Sequence, residues 1–158
     1  YESLLLCSYD PNDKLGNPIG ERAEHYTHLD SIFKYIVRFQ NTGNAPAIDV
    51  RIVDTLDAAL DLNTFKVVNS SHTVNTSLKD GVLEFYFRNI YLPDSLSNPE
   101  GSNGFVTYVI RPFADVENFV VIENTANIIF DFNPPIITNT TSNTMVDSLC
   151  SDMGVSWV

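Results

Sequence analysis

Residues 31–40 read SIFKYIVRFQ, and the fold turns on them. Phe33, Tyr35, Val37 and Phe39 alternate with Lys34, Ile36, Arg38 and Gln40. A period of two puts each set on its own face of a β-strand, here with an aromatic inner face. Asn41-Thr42-Gly43-Asn44 follows as a tight turn. Residues 47–56 alternate again, with Ile48, Val50 and Ile52 on one face and Asp49, Arg51 and Val53 on the other. The simplest topology joins these two runs as a hairpin.

The pattern continues on both sides. Residues 2–9 read as a first strand. Residues 10–30 hold two Pro and two Gly and show no period. They read as a long loop, of the kind that often carries function, or as a loop hiding a short strand near residues 24–27. Residues 64–68 and 73–78 flank the polar turn 69–72. Lys79-Asp80-Gly81 supplies the positive φ that a hairpin needs. Residues 82–90 follow with Leu83, Phe85 and Phe87 inward, and residues 93–104 form a second polar loop. Residues 105–110 and 120–132 are the last long strands, and Pro112, which cannot donate to a ladder, marks a strand end.

Residues 121–138, VIENTANIIFDFNPPIIT, form the central strand, a rigid corner at Pro134-Pro135 and a short return strand. The nearest approach to a helix, residues 54–62, is short enough to be a single turn. The fold class predicted is all-β, an antiparallel sandwich of about 7–9 strands. Its core is predicted to hold Phe33, Tyr35, Val37, Phe39, Val50, Ile52, Phe85, Phe87, Ile128 and Phe130.

The 158 residues suit one domain with one substantial core. Seventeen residues are Phe or Tyr and two are Met, a mixture that favours a rigid β core. The formal net charge of −11 repels phosphate backbones and anionic lipid, so neither nucleic acid nor a membrane surface is an expected partner. It suits a secreted protein, or one that gathers divalent cations. No apolar run approaches membrane-spanning length. The chain opens on Tyr1 rather than Met, so a fragment or processed form is expected, with any targeting signal outside it. Cys7 and Cys150 stand near opposite ends; a bridge between them is one alternative and two free thiols the other. The tail, residues 147–158, breaks the alternation and is expected to leave the sandwich, giving residues 1–146 as the domain.

Catalysis has little to build on. His72 sits in a Ser/Asn turn, and His25 and His28 would face opposite ways in a strand. No nucleophile elbow, HExxH or P-loop occurs. Asp54 and Asp57, or Glu84, could be posed as a glycosidase pair, but solvated strand ends account for them better. Asn69, Asn75 and Asn139 each open a glycosylation sequon of the kind chance supplies in an Asn/Thr-rich chain. Lys34 with Asn124 or Asn127 has the side chains needed for an intramolecular isopeptide bond. Lys34, however, is expected to point away from the aromatic face, where its amine would be unreactive.

Two polar corners carry the metal reading. Asp10, Asn12 and Asp13 place three oxygen donors in four residues, and Asp131 and Asn133 a further two. Calcium takes 6–8 oxygen ligands, so the two corners could share one ion if they meet, with Glu21 or Glu123 as spare carboxylates. A metal-free turn, its side chains bonding their own backbone, explains the first corner equally simply.

Several segments, in order, carry a resemblance. They are Ser8-Tyr9-Asp10-Pro11-Asn12-Asp13-Lys14, Arg38-Phe39-Gln40-Asn41-Thr42-Gly43-Asn44-Ala45, Asp54-Thr55-Leu56-Asp57, Gly104-Phe105-Val106, Ile122-Glu123-Asn124-Thr125-Ala126 and Phe130-Asp131-Phe132-Asn133-Pro134-Pro135-Ile136. Together they resemble the conserved-repeat, immunoglobulin-like domain of large surface and secreted proteins of the Bacteroidetes. The resemblance implies an immunoglobulin-like sandwich, type IX export and a place in a long multidomain protein, some of which are adhesins. The Asp10 corner also resembles the Asp-x-Asn-Asp linker of cadherins, where calcium stiffens the joint between sandwiches. The tail does not resemble the sorting domain that often follows. The expected function is therefore a non-catalytic structural or interaction module of an exported cell-surface protein, an adhesin-type spacer or docking unit stiffened by calcium. Its expected partners are neighbouring domains of the same chain and a surface glycan or protein ligand. The alternative is a carbohydrate-binding accessory domain of a secreted enzyme, with Tyr86, Tyr91 and Tyr108 exposed on one face.

Overall fold

A computed structural model describes residues 11–148. The strand expected at residues 2–9, Asp10, the Cys7–Cys150 pair and all but the start of the tail lie outside the described residues.

Among the described residues twelve strands follow one another: β1 (Asp13–Asn17), β2 (Tyr26–His28), β3 (Phe33–Gln40), β4 (Val50–Thr55), β5 (Leu60–Ser70), β6 (Asn75–Lys79), β7 (Val82–Phe87), β8 (Asn103–Pro112), β9 (Val121–Asn124), β10 (Ala126–Phe130), β11 (Ile136–Ile137) and β12 (Thr141–Val146). The only helical turn among the described residues is a 3-10 segment, Glu100–Ser102. The class is all-β, as the alternation requires. A four-stranded sheet runs β1-β3-β8-β5, and a five-stranded sheet runs β11-β10-β4-β7-β6. A three-stranded sheet, β2-β12-β9, completes the fold. Every pairing is antiparallel except β2 with β12.

Aromatic rings lock the two larger sheets together. Phe39 of β3 meets Phe87 of β7 at 5.1 Å and Phe130 of β10 at 6.3 Å, edge to face. Phe85 of β7 meets Tyr108 of β8 at 5.7 Å. Burying a Phe contributes about 1.5–3 kcal/mol, and a well-placed aromatic pair about 0.5–1.5 kcal/mol more. All ten predicted core residues are buried. The Asp80-Gly81 turn joins β6 to β7, with φ of 53° and 77°. The return strand is present too, with Asn127 opposite Ile137.

Three expectations fail. The hairpin of residues 31–40 with 47–56 does not form. β3 pairs with β1 and β8, whereas β4 pairs with β7 and β10 in the facing sheet. The connection therefore crosses between sheets, and Ile48, in that connection, is exposed. The long loop at 10–30 carries β1, which pairs with β3 from Asp13↔Arg38 to Asn17↔Lys34, as well as the short β2. Residues 120–132 are two strands. β9 pairs with β12, and after Thr125 the chain enters the five-stranded sheet as β10. The inward parity of Ile122, Asn124, Ala126 and Ile128 runs through this switch, so alternation alone does not show it.

Candidate functional site

The inner face of β4 continues past Val50 and Ile52 to Asp54, and parity places that carboxylate in the core, 0% exposed. On β8 the same parity carries Val106, Tyr108 and Ile110 inward. On β9 it carries Ile122 and Asn124 inward. From β1 a single side chain enters, Lys14, 1% exposed. Four polar residues from four strands thus meet inside the core.

The contacts among them are close. Lys14 Nζ donates to Asp54 Oδ2 in a buried ion pair. It also lies 3.1 Å from the Tyr108 hydroxyl. That hydroxyl donates to Asp54 Oδ2 at 2.6 Å and accepts from Asn124 Nδ2 at 2.9 Å. The lysine amine sits 5.0 Å from the Tyr35 ring centre and 5.2 Å from that of Tyr108. Asp54 Oδ1 and Asn124 Oδ1 are buried without a hydrogen-bond partner among the described residues. Burial pushes the Lys14 amine down from its ordinary 10.5, and Asp54 opposes this only in part. The same burial raises the Tyr108 hydroxyl, with the Asp54 charge adding to it.

The backbone beneath the cluster is fixed from one segment. The Asn139 side chain accepts from Lys14 N at 2.9 Å and donates to Lys14 O at 2.9 Å. Two residues on, Thr141 is paired with Asn124 across β12 and β9. Both lysine and asparagine are thereby positioned by residues 139–141.

The sequence-predicted sites are distributed otherwise. Lys34 is exposed and Asn127 half-buried, so no isopeptide pairing through Lys34 forms; Asn124 has the inward place, but its neighbour is Lys14. Asp54 is not a solvated strand end. Tyr108 is fully buried, so it cannot share an exposed face with Tyr91; Tyr86 bonds Asp49 at 3.2 Å. Asn12 Oδ1 accepts from Gln40 N at 3.0 Å, and Asp13 pairs with Arg38. Asp131, at φ 52°, accepts the amides of Ile48 and Asp49 with its carboxylate at 3.2 and 2.8 Å. Asn133 is exposed at the corner. Among the described residues no three His, Cys, Asp or Glu side chains gather as a metal site. His25 Nδ1 meets Ile19 O at 2.9 Å, and His72 Nδ1 meets Ser71 Oγ at 2.7 Å. A surface groove of about 860 Å³ runs past β1, β2 and β12, with Tyr26 the only Phe, Tyr or Trp among its described lining residues. Among the described residues no helix is long and apolar enough to cross a membrane.

Solved structures share the fold. The N-terminal domain of the Streptococcus gordonii adhesin Sgo0707 aligns over 87% of this chain and 33% of its own, at 15% identity and TM-score 0.60. A D312A form of BcpA, the major pilin subunit of Bacillus cereus, aligns over 85% and 40%, at 15% identity and TM-score 0.58. The Corynebacterium diphtheriae major pilin SpaA aligns over 84% and 38%, at 16% identity and TM-score 0.54. Its structure is described as pointing to a modular pilus assembly stabilizing isopeptide bonds. The chain spans a third to two-fifths of each of these structures. No curated protein matches the sequence. A family model covers residues 10–144, nearly all of the described sandwich, and the chain accordingly belongs to the family described as a domain of unknown function, DUF7619.

Proposed function

We propose that this domain is a load-bearing, non-catalytic module of an exported cell-surface protein. The observation that carries this reading is the sealed cluster. The ion-paired Lys14 and Asp54 have side chains 0% exposed, so no outside substrate reaches them. An enzyme for an external substrate needs converging groups at a cleft. Here they tie β1, β4, β8 and β9 together inside the core, where their effect is on the strength of the fold. The fold shared with adhesin and pilin domains supports a surface setting.

Labelling of intact source cells with an antibody against the domain is the test. Surface labelling is expected, and labelling only after lysis contradicts the reading. Export by the type IX route in a member of the Bacteroidetes is the finer form of the proposal, and a strain lacking that route should lose the label. Calcium at the Asp10–Asp13 corner is a separate proposal supported by donor density in the sequence. It requires Asp13 to turn from Arg38 toward the ion. A melt that rises in calcium and falls in EDTA, and ceases to do so in Asp13→Ala, would support it. The glycan-binding alternative predicts glycan-array signal lost on Tyr91→Ala.

A further inference from the structure

We propose that the folded domain cross-links itself, forming an amide bond between Nζ of Lys14 and Cγ of Asn124, with Asp54 carrying the proton. This deepens the load-bearing reading by naming the bond that would bear load.

Three observations support it independently of one another. The first is approach. Lys14 Nζ and Asn124 Nδ2 lie 3.1 and 2.9 Å from one oxygen, the Tyr108 hydroxyl, so amine and amide are neighbours across a single group. Reaction between groups held this way is in effect unimolecular and gains accordingly. The second is protonation. A lysine amine is a nucleophile only when uncharged. Lys14 is wrapped by the Tyr35 and Tyr108 rings, and its one carboxylate neighbour, Asp54, is placed to take the proton away. The third is the pair of unsatisfied oxygens. Leaving buried polar atoms unpaired is costly, and of the three unpaired here, the Tyr35 hydroxyl among them, two are acceptors without a donor, Asp54 Oδ1 and Asn124 Oδ1. A proton on Asp54 makes that group a donor, of the kind that polarises an amide carbonyl for attack.

The step balances without any outside reactant. The Lys14 ammonium passes one proton to Asp54. The freed lone pair on Nζ attacks Cγ of Asn124, forming the N–C bond and moving the carbonyl electron pair onto Oδ1. A second proton passes from Nζ to Nδ2 by way of Asp54. The carbonyl reforms, the Cγ–Nδ2 bond breaks, and ammonia departs with the first proton as ammonium. An amine and a primary amide become a secondary amide, Asp54 ends as it began, and nothing is oxidised or reduced.

The placement of the bond suits its purpose. Lys14 lies on β1, at the edge of the four-stranded sheet. Asn124 is the last residue of β9 and is paired with Thr141 of β12. A link between them joins β1 straight to the β9–β12 pair and leaves residues 15–123 outside the line of tension.

The test is the mass of the purified 158-residue chain and of its protease fragments. The wild type is expected to weigh one ammonia less than its sequence. It should also yield a branched peptide joining the Lys14 and Asn124 segments. Lys14→Met, Asp54→Ala and Asn124→Ala should each have full sequence mass and no branched peptide. The wild-type measurement stands even where a variant fails to fold. A wild-type chain that is β-folded by circular dichroism, yet keeps its full mass after long incubation at neutral pH, overturns the proposal. So does a missing ammonia traced to a succinimide elsewhere. Either result leaves cell-surface labelling, and with it the load-bearing module, untouched.

Discussion

Asp13 and Lys14 are adjacent on β1, each belongs to an ion pair, and the two pairs do different work. Asp13 faces out and meets Arg38 directly across the strand ladder, with Arg38 Nε at 2.7 Å. The side chains there are 15% and 35% exposed. Lys14 faces in and meets Asp54, both 0% exposed. The outer pair is only partly desolvated and is screened by salt, so its net contribution is the smaller of the two. The inner pair has lost its water, and its attraction must offset a desolvation cost of several kcal/mol per ion. A buried pair is thus a poor way to gain stability. It is a good way to hold a reactive amine against a proton acceptor and an amide.

Substitutions can widen or erase that contrast. Asp54→Ala should have the largest effect. It strands the Lys14 amine, at about 3–5 kcal/mol. It also prevents the cross-link, which by analogy with a disulfide closing a loop of roughly 100 residues is worth about 4–5 kcal/mol. Chemical denaturation should show a domain that is unfolded or barely folded. Asn124→Ala keeps the ion pair and loses only the link, so a loss of about 4–5 kcal/mol is expected, with the midpoint of denaturation falling accordingly.

The third prediction is a pH dependence that only the unlinked protein shows. In Asn124→Ala the folded Lys14 titrates below its ordinary 10.5, so below that pH the unfolded chain binds the extra proton. Its stability should therefore rise as pH rises toward 10.5. In the linked wild type the same nitrogen is an amide and does not titrate. Tyr35 and Tyr108 are raised by burial, a contribution present below pH 10 and lost above it, but both proteins share it. The stability gap between the two should narrow with rising pH up to 10, and a constant gap would mean that Lys14 does not titrate in the variant. The smallest effect belongs to the outer pair. Arg38→Ala should cost about 0.2–1 kcal/mol, and less in high salt.

The contrast was only half legible in the sequence. Alternation fixes the side chains of strands long enough to show it. Phe33 to Phe39 declare an inner face, and the same rule applied to Val50 and Ile52, or to Val106 and Ile110, puts Asp54 and Tyr108 inside. Their residue types, a carboxylate and a tyrosine, point instead to solvated or exposed places, and here position outweighs type. Lys14 could not be found that way. β1 offers one buried residue in five, set in a Pro- and Gly-bearing run, and only its register against β3 turns Lys14 inward. Residue type alone offers Asn124 as a cross-link partner, but choosing its lysine requires knowing that β9 and β1 are both held by residues 139–141. The exchange of sheets at Thr125 and between β3 and β4 is equally silent in the pattern, because an inner face stays an inner face whichever sheet carries it.

Unfolding the domain under tension applied through its two ends separates a linked from an unlinked chain most directly. A cross-link between Lys14 and Asn124 withholds residues 15–123, roughly a hundred residues or about 350 Å of extended chain. The wild type should never release that length, whereas Asn124→Ala should release it in full. A wild-type domain that extends as far as Asn124→Ala would mean that no cross-link is present.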